Sequence, residues 1–397
     1  MIKSKTYFLI IIFISILSRA FAIHFTGDRS IEYNEFGIIL YNLENYGTFG
    51  FRKSGEEIFP NIFMPPLYPF FLYLIQLLNP IKSLFLDLVL YLQLIYSIIG
   101  IIYFKKLLLN FFTEKLSNLG ATIFALFPLN IYCVSQISSI SLQVFLSILF
   151  FYLTFQIIKN SNLKNLLSFS LISGLLILLR GEFFVFYFLT LFFIFITNKN
   201  IKIIIFSLFI SLIVVSPYVI RNYYIFETLT ITKSFGYNLW KGNNPKSKSQ
   251  GYETIYDEEM QKKIDEIYPS AKYDLYIDKI YKAEAIKNIK LEPFKYVKSY
   301  FKKIFAYLFV DFESSYPNYY NLLHILPKIL ISILSLAGVF YLIKKRSLIN
   351  YFTAYYFLNI LLFSIFFIIP RYSLILLPVQ IILSCYFFKK LKIYTRD

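Results

Sequence analysis

Long apolar runs separated by short, lysine-rich segments make up most of the chain. A helix needs ~20 mostly apolar residues to cross the hydrocarbon core of a bilayer, because backbone amides in lipid must be satisfied within the helix. The pattern therefore predicts an all-α polytopic membrane protein. The apolar runs extend over residues 7–23, 62–78, 84–104, 116–134, 142–158, 166–179, 183–197, 203–220, 325–343, 351–369 and 372–388.

The positions of the lysines predict which runs cross the membrane. If the run 62–78 does not cross, the lysine-rich turns all fall on one side, which the positive-inside rule assigns to the cytoplasm. Pro65, Pro66 and Pro69 also disfavour a continuous helix in the first turns of this run. We therefore predict about ten transmembrane helices, with both termini cytoplasmic and 62–78 as an outer juxtamembrane helix.

The polar segments predict the domain organisation. Residues 1–220 form an N-terminal transmembrane module with a first outer loop at 24–61, residues 221–320 form one large extracytoplasmic loop, and residues 321–397 form C-terminal transmembrane helices. The first run, with small residues at Ala20 and Ala22, also resembles a signal peptide. Because Arg19 is unusual just before a cleavage site, an uncleaved anchor is the favoured interpretation.

Composition excludes several classes of protein. The chain is 57% hydrophobic with a mean hydropathy of +0.60, which leaves too little polar surface to cover a soluble fold. The net charge of +17 comes from lysines in turns, as topology requires, so nucleic-acid binding is not expected. Cys133 and Cys385 both lie in apolar runs and the chain has 2 histidines, which argues against a disulfide framework or a Cys/His metal centre.

Three features of the two polar segments are candidates for function. Asp28, Glu32 and Glu35 are spaced by four and three, so in a helix they would share one face, which could equally be only its solvated side. Trp240 stands among glycines and asparagines, a composition typical of a shaped loop rather than a core. Residues 279–303 have the pattern of a basic amphipathic helix, either bound to anionic lipid or simply solvated.

Four segments, taken in order, resemble the GT-C superfamily of glycosyltransferases, of the protein-mannosyltransferase and aminoarabinose-transferase type. These multispan enzymes use polyprenyl-phosphate sugar donors. The resemblance covers nearly the whole chain. The four segments are Asp28…Glu32…Glu35-Phe36 with residues 39–49, Pro65-Pro66-Leu67-Tyr68-Pro69, Pro217-Tyr218…Arg221-Asn222-Tyr223 with Asn238-Leu239…Gly242-Asn243-Asn244-Pro245, and Pro370-Arg371-Tyr372…Leu377-Pro378.

The resemblance implies a carboxylate base in the first outer loop. A carboxylate within hydrogen-bond reach of an acceptor hydroxyl can take its proton during attack on the sugar. Residue type favours Asp28 for this role, counting back from Asn42 favours Glu32, and Glu35 is the expected supporting acid.

Arginines near the outer ends of apolar runs are expected to bind the donor phosphate, although an arginine at a membrane boundary is as often only an anchor. These are Arg180, Arg221 and Arg371. Further residues are expected to bind substrate: Glu182, Tyr68, Asn222, Trp240, Asn243 and Asn244.

One departure from the family concerns metal. Many relatives carry an acidic residue at the outer start of the span after Val134, but residues 138–143 contain none. We therefore assign no metal site and no certain cofactor, with a divalent metal as the open alternative.

The predicted function is transfer of a sugar from a polyprenyl-phosphate carrier to a glycan, a glycolipid such as lipopolysaccharide, or a protein. The predicted location is the extracytoplasmic side of a bacterial inner membrane, with membrane lipids as further partners. The alternatives are a lipid-linked-sugar flippase or transporter, and an O-antigen ligase. A flippase would need polar residues along the middle of several spans, and an O-antigen ligase would not explain the acidic first loop.

The topology can be tested with reporter fusions. We expect a reporter fused after Lys106 to be cytoplasmic and one fused after Asn79 to be external. A cytoplasmic reporter at Asn79 would show that the run 62–78 crosses the membrane, which would contradict the predicted arrangement.

Overall fold

The computed structural model describes residues 4–54, 57–79, 81–251, 255–343, 345 and 347–392. In these residues it contains seventeen α-helices and a single antiparallel hairpin, which pairs Arg52 with Phe59. The elements are α1 (Ser4–Thr26), α2 (Glu35–Tyr46), β1 (Arg52–Ser54), β2 (Glu57–Phe59), α3 (Leu67–Leu78), α4 (Phe85–Leu108), α5 (Glu114–Leu126), α6 (Pro128–Tyr132), α7 (Ser139–Lys159), α8 (Leu163–Leu179), α9 (Phe183–Asn198), α10 (Ile201–Phe226), α11 (Phe235–Gly242), α12 (Glu258–Asp265), α13 (Tyr273–Leu291), α14 (Pro293–Leu308), α15 (Leu322–Leu342), α16 (Asn350–Ser364) and α17 (Ser373–Lys390).

Several helices are long and apolar enough to cross a membrane, which confirms the prediction of an all-α polytopic membrane protein. Among the described residues there are six, or seven if the bent pair Glu114–Leu126 and Pro128–Ser135 forms one span. The predicted number of about ten stays a prediction, since α8, α9 and α16 have only 17, 16 and 15 residues. The six are Ser4–Thr26, Lys82–Leu108, Ser139–Lys159, Ile201–Phe226, Leu322–Leu342 and Pro370–Lys390.

Helices α7 and α17 form the centre of the bundle. Over an apolar stretch of 18 residues in each span, 67% of the residues are buried in α7 and 72% in the segment containing α17, but only 22% in α1 and in α10. Helix α7 packs between α4 and α8, and α17 packs against α15, α5 and α16. A helix that is apolar all round suits such a central position, because each of its faces meets another helix.

Helix α3 begins only after the paired prolines. Pro66 is its N-cap residue and the helix extends from Leu67 to Leu78, so the prolines do shorten the helix as expected. Twelve residues make a helix of ~18 Å, which is too short for a hydrocarbon core of ~30 Å. This length supports the interpretation of the run 62–78 as a juxtamembrane helix.

The apolar run 116–134 is not one straight helix. It breaks between α5 and α6 with a bend of 57°, because Pro128 has no amide hydrogen to continue the hydrogen-bond ladder. Asn130 Nδ2 donates to Phe124 O at 2.9 Å, and Arg19, fully buried on α1, donates to Ala125 O at 2.9 Å. These side chains thus supply hydrogen bonds to the backbone carbonyls that lose their helical donors at the break, because a carbonyl in an apolar environment must have a donor.

The two polar segments pack against each other at one end of the bundle, which we call the loop end (residues 27–54, 57–79, 81–84, 227–251 and 255–321). Arg52 in the first segment forms an ion pair with buried Asp274 in the second, with Nε and Oδ1 at 2.7 Å. Arg221, at the end of α10, donates to Asn61 O at 2.8 Å. Lys233 N donates to Ile62 O at 2.8 Å.

Three local predictions were wrong. Helix α2 starts at Glu35 with Asn34 as its N-cap, so Asp28 and Glu32 precede the helix instead of sharing a face with Glu35. The basic stretch 279–303 is two helices, since Pro293 favours a new helix start and α13 ends at Leu291. The segment around Trp240 is helix α11, and tertiary packing buries this side chain to 3% exposure.

The break at Pro128 generates a stability prediction. Asn130→Ala leaves the Phe124 carbonyl buried without its donor, so it should lower the free energy of unfolding by about 1–3 kcal/mol. Denaturant titration in detergent micelles would measure this. Asn45→Ala is the matched control, because exposed Asn45 Nδ2 also bonds a backbone carbonyl, that of Tyr41, and its loss should change stability by less than about 0.5 kcal/mol. Equal effects of the two substitutions would contradict the proposed role of Asn130.

Candidate active site

A cavity of about 890 Å³ opens at the loop end. Its walls come from the starts of α2 and α3, residues 137–140 before and within α7, the turn between α8 and α9, helix α11, and residues 362–372 between α16 and α17. Most of the lining is aromatic or aliphatic, and a few charged groups converge on it. This combination of volume and lining is typical of a small-molecule site.

Among the described residues, five acidic or basic side chains line the cavity: Glu35, Arg180, Glu182, Lys241 and Arg371. Three are cations and two are carboxylates, so these five carry a formal excess of one positive charge. Four of the five were predicted as site residues from the sequence. The five come from four separate parts of the chain, which only the fold brings together.

Glu35 is the acidic residue of the first loop that the structure places in the cavity. It is the first residue of α2, where the helix dipole favours a negative charge. Glu35 lines the cavity and is solvent-exposed, but the surrounding protein still displaces part of the water around its carboxylate. This desolvation raises the pKa of Glu35, and the nearby charges of Arg52, Arg371 and Lys241 partly oppose the rise. A carboxylate with a raised pKa is a better proton acceptor at neutral pH.

Two arginines, Arg180 and Arg371, line the cavity. Arg180 is the C-cap residue of α8, and its Nε donates to the buried Gln143 Oε1 at 3.1 Å. Its guanidinium also lies 5.9 Å from the centre of the Tyr372 ring. Arg371 occupies the short turn Pro370–Tyr372 that leads into α17. Arg180 is therefore held in place by Gln143, while the exposed Arg371 is positioned by the turn that carries it.

Lys241 lines the cavity, but the sequence analysis did not select it. Its Nζ lies 5.3 Å from the Phe367 ring centre and 5.9 Å from that of Tyr237. Burial lowers the pKa of Lys241, while the charge of Glu35 opposes this shift. Tyr237 and Lys241 are four residues apart and therefore share one face of a helix. A prediction of α11 as a helix would have used this spacing to select Lys241.

Lys303 fixes the wall that carries Lys241. This side chain is fully buried, and its Nζ lies 2.7–3.5 Å from four oxygens, which belong to Gly242, Asn243, Ile365 and Phe366. The end of α11 is thereby tied to the extended segment that follows α16. Burial lowers the pKa of Lys303 to about 7.

Close backbone approach at the same wall requires a glycine. A Cβ atom on Gly242 would lie 2.1 Å from Phe366 O, far inside van der Waals contact. Asn243 Nδ2 completes the junction with bonds to Leu239 O and Ile365 O, both at 2.8 Å. Asn243 therefore holds the cavity wall in place from behind.

Asp28 lies beside the cavity and does not line it. It is half-buried, its Oδ2 accepts the Ile137 N–H at 2.6 Å, and its own amide donates to Ser135 O. Burial raises the pKa of Asp28, and the bond from Ile137 opposes the shift. Glu32 is exposed and lines a separate cleft of about 480 Å³ together with Glu44 and Lys82.

Tyr68 is almost fully buried at the cavity wall. Its hydroxyl donates to Gln93 Oε1 at 3.2 Å, and Gln93 Nε2 in turn donates to Val134 O and Gln136 O. Glu182 is half-buried at the start of α9 and lines the same cavity. Tyr68 and Glu182, two of the six residues predicted to bind substrate, therefore lie at the cavity.

Four other predicted site residues lie away from the cavity, because each satisfies backbone or packing needs of the loop end. Arg221 donates to Asn61 O and Asn222 Oδ1. Asn222 Nδ2 donates to Thr230 O at 2.7 Å, which closes the turn after α10. Trp240 packs against Tyr281, and Asn244 Nδ2 donates to Trp240 O.

The described residues contain no group of three or more His, Cys, Asp or Glu side chains that could hold a metal ion. Among the described residues of the cavity lining, Glu35 and Glu182 carry the carboxylates.

Comparison with known proteins does not assign the chain to a family. No protein-family model matches it, and a search of the curated proteins finds no significant match. The chemistry of the cavity must therefore be inferred from its own residues.

The burial of Lys303 generates a pH prediction. Because its folded-state pKa of about 7 lies below the ordinary 10.5, the unfolded chain binds a proton that the folded chain lacks between these values. The contribution of Lys303 to stability should therefore rise with pH across this window. At pH about 10, Lys303→Met should be less stable than wild type by about 1–3 kcal/mol, since it leaves buried carbonyls without a donor.

The stability gap should narrow as the pH falls toward 7, measured by denaturant titration in micelles at several pH values. Lys298→Met, an exposed lysine on the same helix, is the control and should show no such trend. A gap that is constant with pH would contradict the assigned role of Lys303.

Proposed function

We propose that the protein is a membrane glycosyltransferase of the GT-C type, which transfers a sugar from a polyprenyl-phosphate donor to a hydroxyl of a glycan, glycolipid or protein. The observation that carries the proposal is that Glu35 and three cations line one cavity. Sugar transfer from a lipid phosphate requires this pair of functions, a base for the acceptor and positive charge for the leaving group.

In the proposed reaction, Glu35 is the base. The acceptor oxygen attacks the anomeric carbon, its proton passes to the Glu35 carboxylate, and the bond between the anomeric carbon and the phosphate oxygen breaks. The electron pair of that bond stays on the polyprenyl phosphate. Glu35 later returns the proton to water or to the phosphate, which restores the enzyme.

Arg180, Lys241 and Arg371 are proposed to hold the phosphate. Charge grows on its oxygens as the sugar leaves, and cations already in position stabilise that charge most effectively where water is excluded. Arginine binds phosphate oxygens with two parallel hydrogen bonds, whereas lysine acts as a point charge. Glu182, two residues after Arg180, is proposed to bind hydroxyls of the sugar or acceptor.

Asp28 is the expected base by family resemblance, but its position supports a different role. Its Oδ2 already accepts a short bond from Ile137 N, next to Ser138 and Ser139 of the cavity wall. We propose that Asp28 positions this wall and that Glu35 takes the proton.

The location of the cavity favours transfer over transport. The cavity lies at the loop end, among the ends of α8, α11 and α17, where a lipid chain could remain in the bilayer while its head group reacts. A transporter would place its site near the middle of the spans. We propose that the loop end is extracytoplasmic and that the membrane is a bacterial inner membrane.

A deletion strain would test the proposal. Mass spectrometry of its glycolipids, glycans and glycoproteins should show loss of one sugar unit, and the wild-type gene should restore it. Glu35→Gln should fail to restore the sugar, with activity lowered at least ~10²-fold because the base is lost. Lys241→Met should restore it only in part, since two cations remain.

Glu32→Gln is the matched control, because this carboxylate belongs to the same loop but lines another cleft. It should restore the sugar fully, with equal amounts of each variant in the membrane fraction. Full restoration by Glu35→Gln would remove the proposed base, and an unchanged glycan profile in the deletion strain would overturn the transferase itself.

A further inference from the structure

Helix α14 presents an apolar stripe that the rest of the described chain leaves largely exposed, with only its last member, Phe305, in contact with the rings of Phe309 and Phe312. Its members are spaced by three, four and four residues, so they align along one side of the helix. Three bulky phenylalanines with exposed fractions of 89%, 64% and 47% are far more than a helix facing only water normally carries. The apolar stripe consists of Phe294, Val297, Phe301 and Phe305.

The opposite face of α14 is packed on the protein. Tyr296, Lys303 and Tyr307 are buried there. Tyr307 donates to Asn359 Oδ1 on α16 at 2.6 Å, and Lys328 Nζ on α15 donates to Ala306 O at 2.7 Å. Helix α14 is therefore held rigidly, with its apolar stripe directed away from the bundle.

The apolar stripe borders a lysine edge on one side. With ~100° of rotation per residue, the stripe spans about 80° of the helix circumference, and three lysines follow it over the next ~80°. All three are exposed, and Lys295 and Lys302 pair with Glu292 and Glu313. The lysines are Lys295, Lys298 and Lys302.

On its other side the apolar stripe adjoins the outward face of α16. The Tyr300 hydroxyl of α14 donates to Leu361 O of α16 at 3.0 Å, so the two helices touch along this edge. Phe357 and Leu361 on α16, and Ile365 directly after it, are exposed apolar residues of the predicted span 351–369. Exposed apolar side chains therefore lie on both helices along this edge.

We propose that α14 lies in the membrane interface at the loop end, with its apolar stripe in the acyl–headgroup boundary and its lysine edge toward water. Interfacial helices insert an apolar face ~5–10 Å into this boundary. The exposed apolar side chains on the adjoining edge of α16 are the reason to choose lipid as the occupant. The proposal concerns membrane attachment of the loop end and does not depend on the sugar-transfer reaction.

Burial of the aromatic rings, and not charge attraction, drives this insertion. Two of the three lysines have glutamate partners, which leaves the lysine edge with a net charge of about one. Anionic lipid should therefore be unnecessary. This separates the proposal from a purely electrostatic attachment, which would weaken strongly in neutral lipid.

Site-directed labelling of the full chain in lipid nanodiscs tests the proposal. Cys133 and Cys385 are both buried, so an introduced surface cysteine would be labelled selectively. A fluorophore at Phe301→Cys should be quenched about two-fold or more by lipids brominated near the head group, in neutral phosphatidylcholine discs, and weakly by an aqueous quencher. A fluorophore at Lys295→Cys, on the far side of the lysine edge, should show the reverse pattern.

Each alternative has its own outcome. Equal aqueous quenching at the two positions, with no effect of brominated lipid, would show that α14 faces water and would overturn the proposal. Protection of Phe301→Cys only in discs loaded with two copies would assign the apolar stripe to a dimer interface. Protection only in discs that contain anionic lipid would replace ring insertion by electrostatic attachment.

Discussion

The structure depends on one constraint, that every backbone carbonyl inside an apolar bundle needs a donor. Two interruptions of helical structure meet this constraint in the same way. At the break before Pro128, buried Arg19 and Asn130 supply the donors. After α16, buried Lys303 and Asn243 supply them. In each case a buried basic side chain, with no carboxylate partner among the described residues, is satisfied by the carbonyl oxygens around it.

These two interruptions contribute two parts of the cavity wall. The chain leaving the first one passes through Ser135 to Ile137, where it binds Asp28 and then forms part of the lining. The chain leaving the second one carries Phe366 and then Arg371 into the lining. A regular helix presents its side chains only along its length. Where a helix is interrupted, the residues that follow the break lie at its end and present both backbone and side-chain groups there. The cavity therefore lies where the helices stop.

The loop end adds rigidity to this arrangement and links it to the membrane. The Arg52–Asp274 ion pair joins the two polar segments. Because Asp274 is nearly fully buried, removal of Arg52 would leave its carboxylate without a compensating charge. On the other side of the cavity, α14 ties the cavity wall to α16 through Lys303 and Tyr307. If α14 also inserts into lipid, the cavity is held at a fixed height relative to the bilayer surface.

The sequence by itself determined the membrane class and the two polar segments, because hydropathy is summed over long runs. It also nominated four of the five charged residues of the cavity, together with candidates that lie elsewhere, because residues such as Arg371 stand at the ends of those runs and match a family pattern. Only the tertiary structure decided which acid reaches the cavity. Asp28 and Glu35 are seven residues apart, yet one is tied to Ile137 and the other faces Lys241 from a helix start. That choice depends on long-range contacts, which neither spacing nor composition encodes.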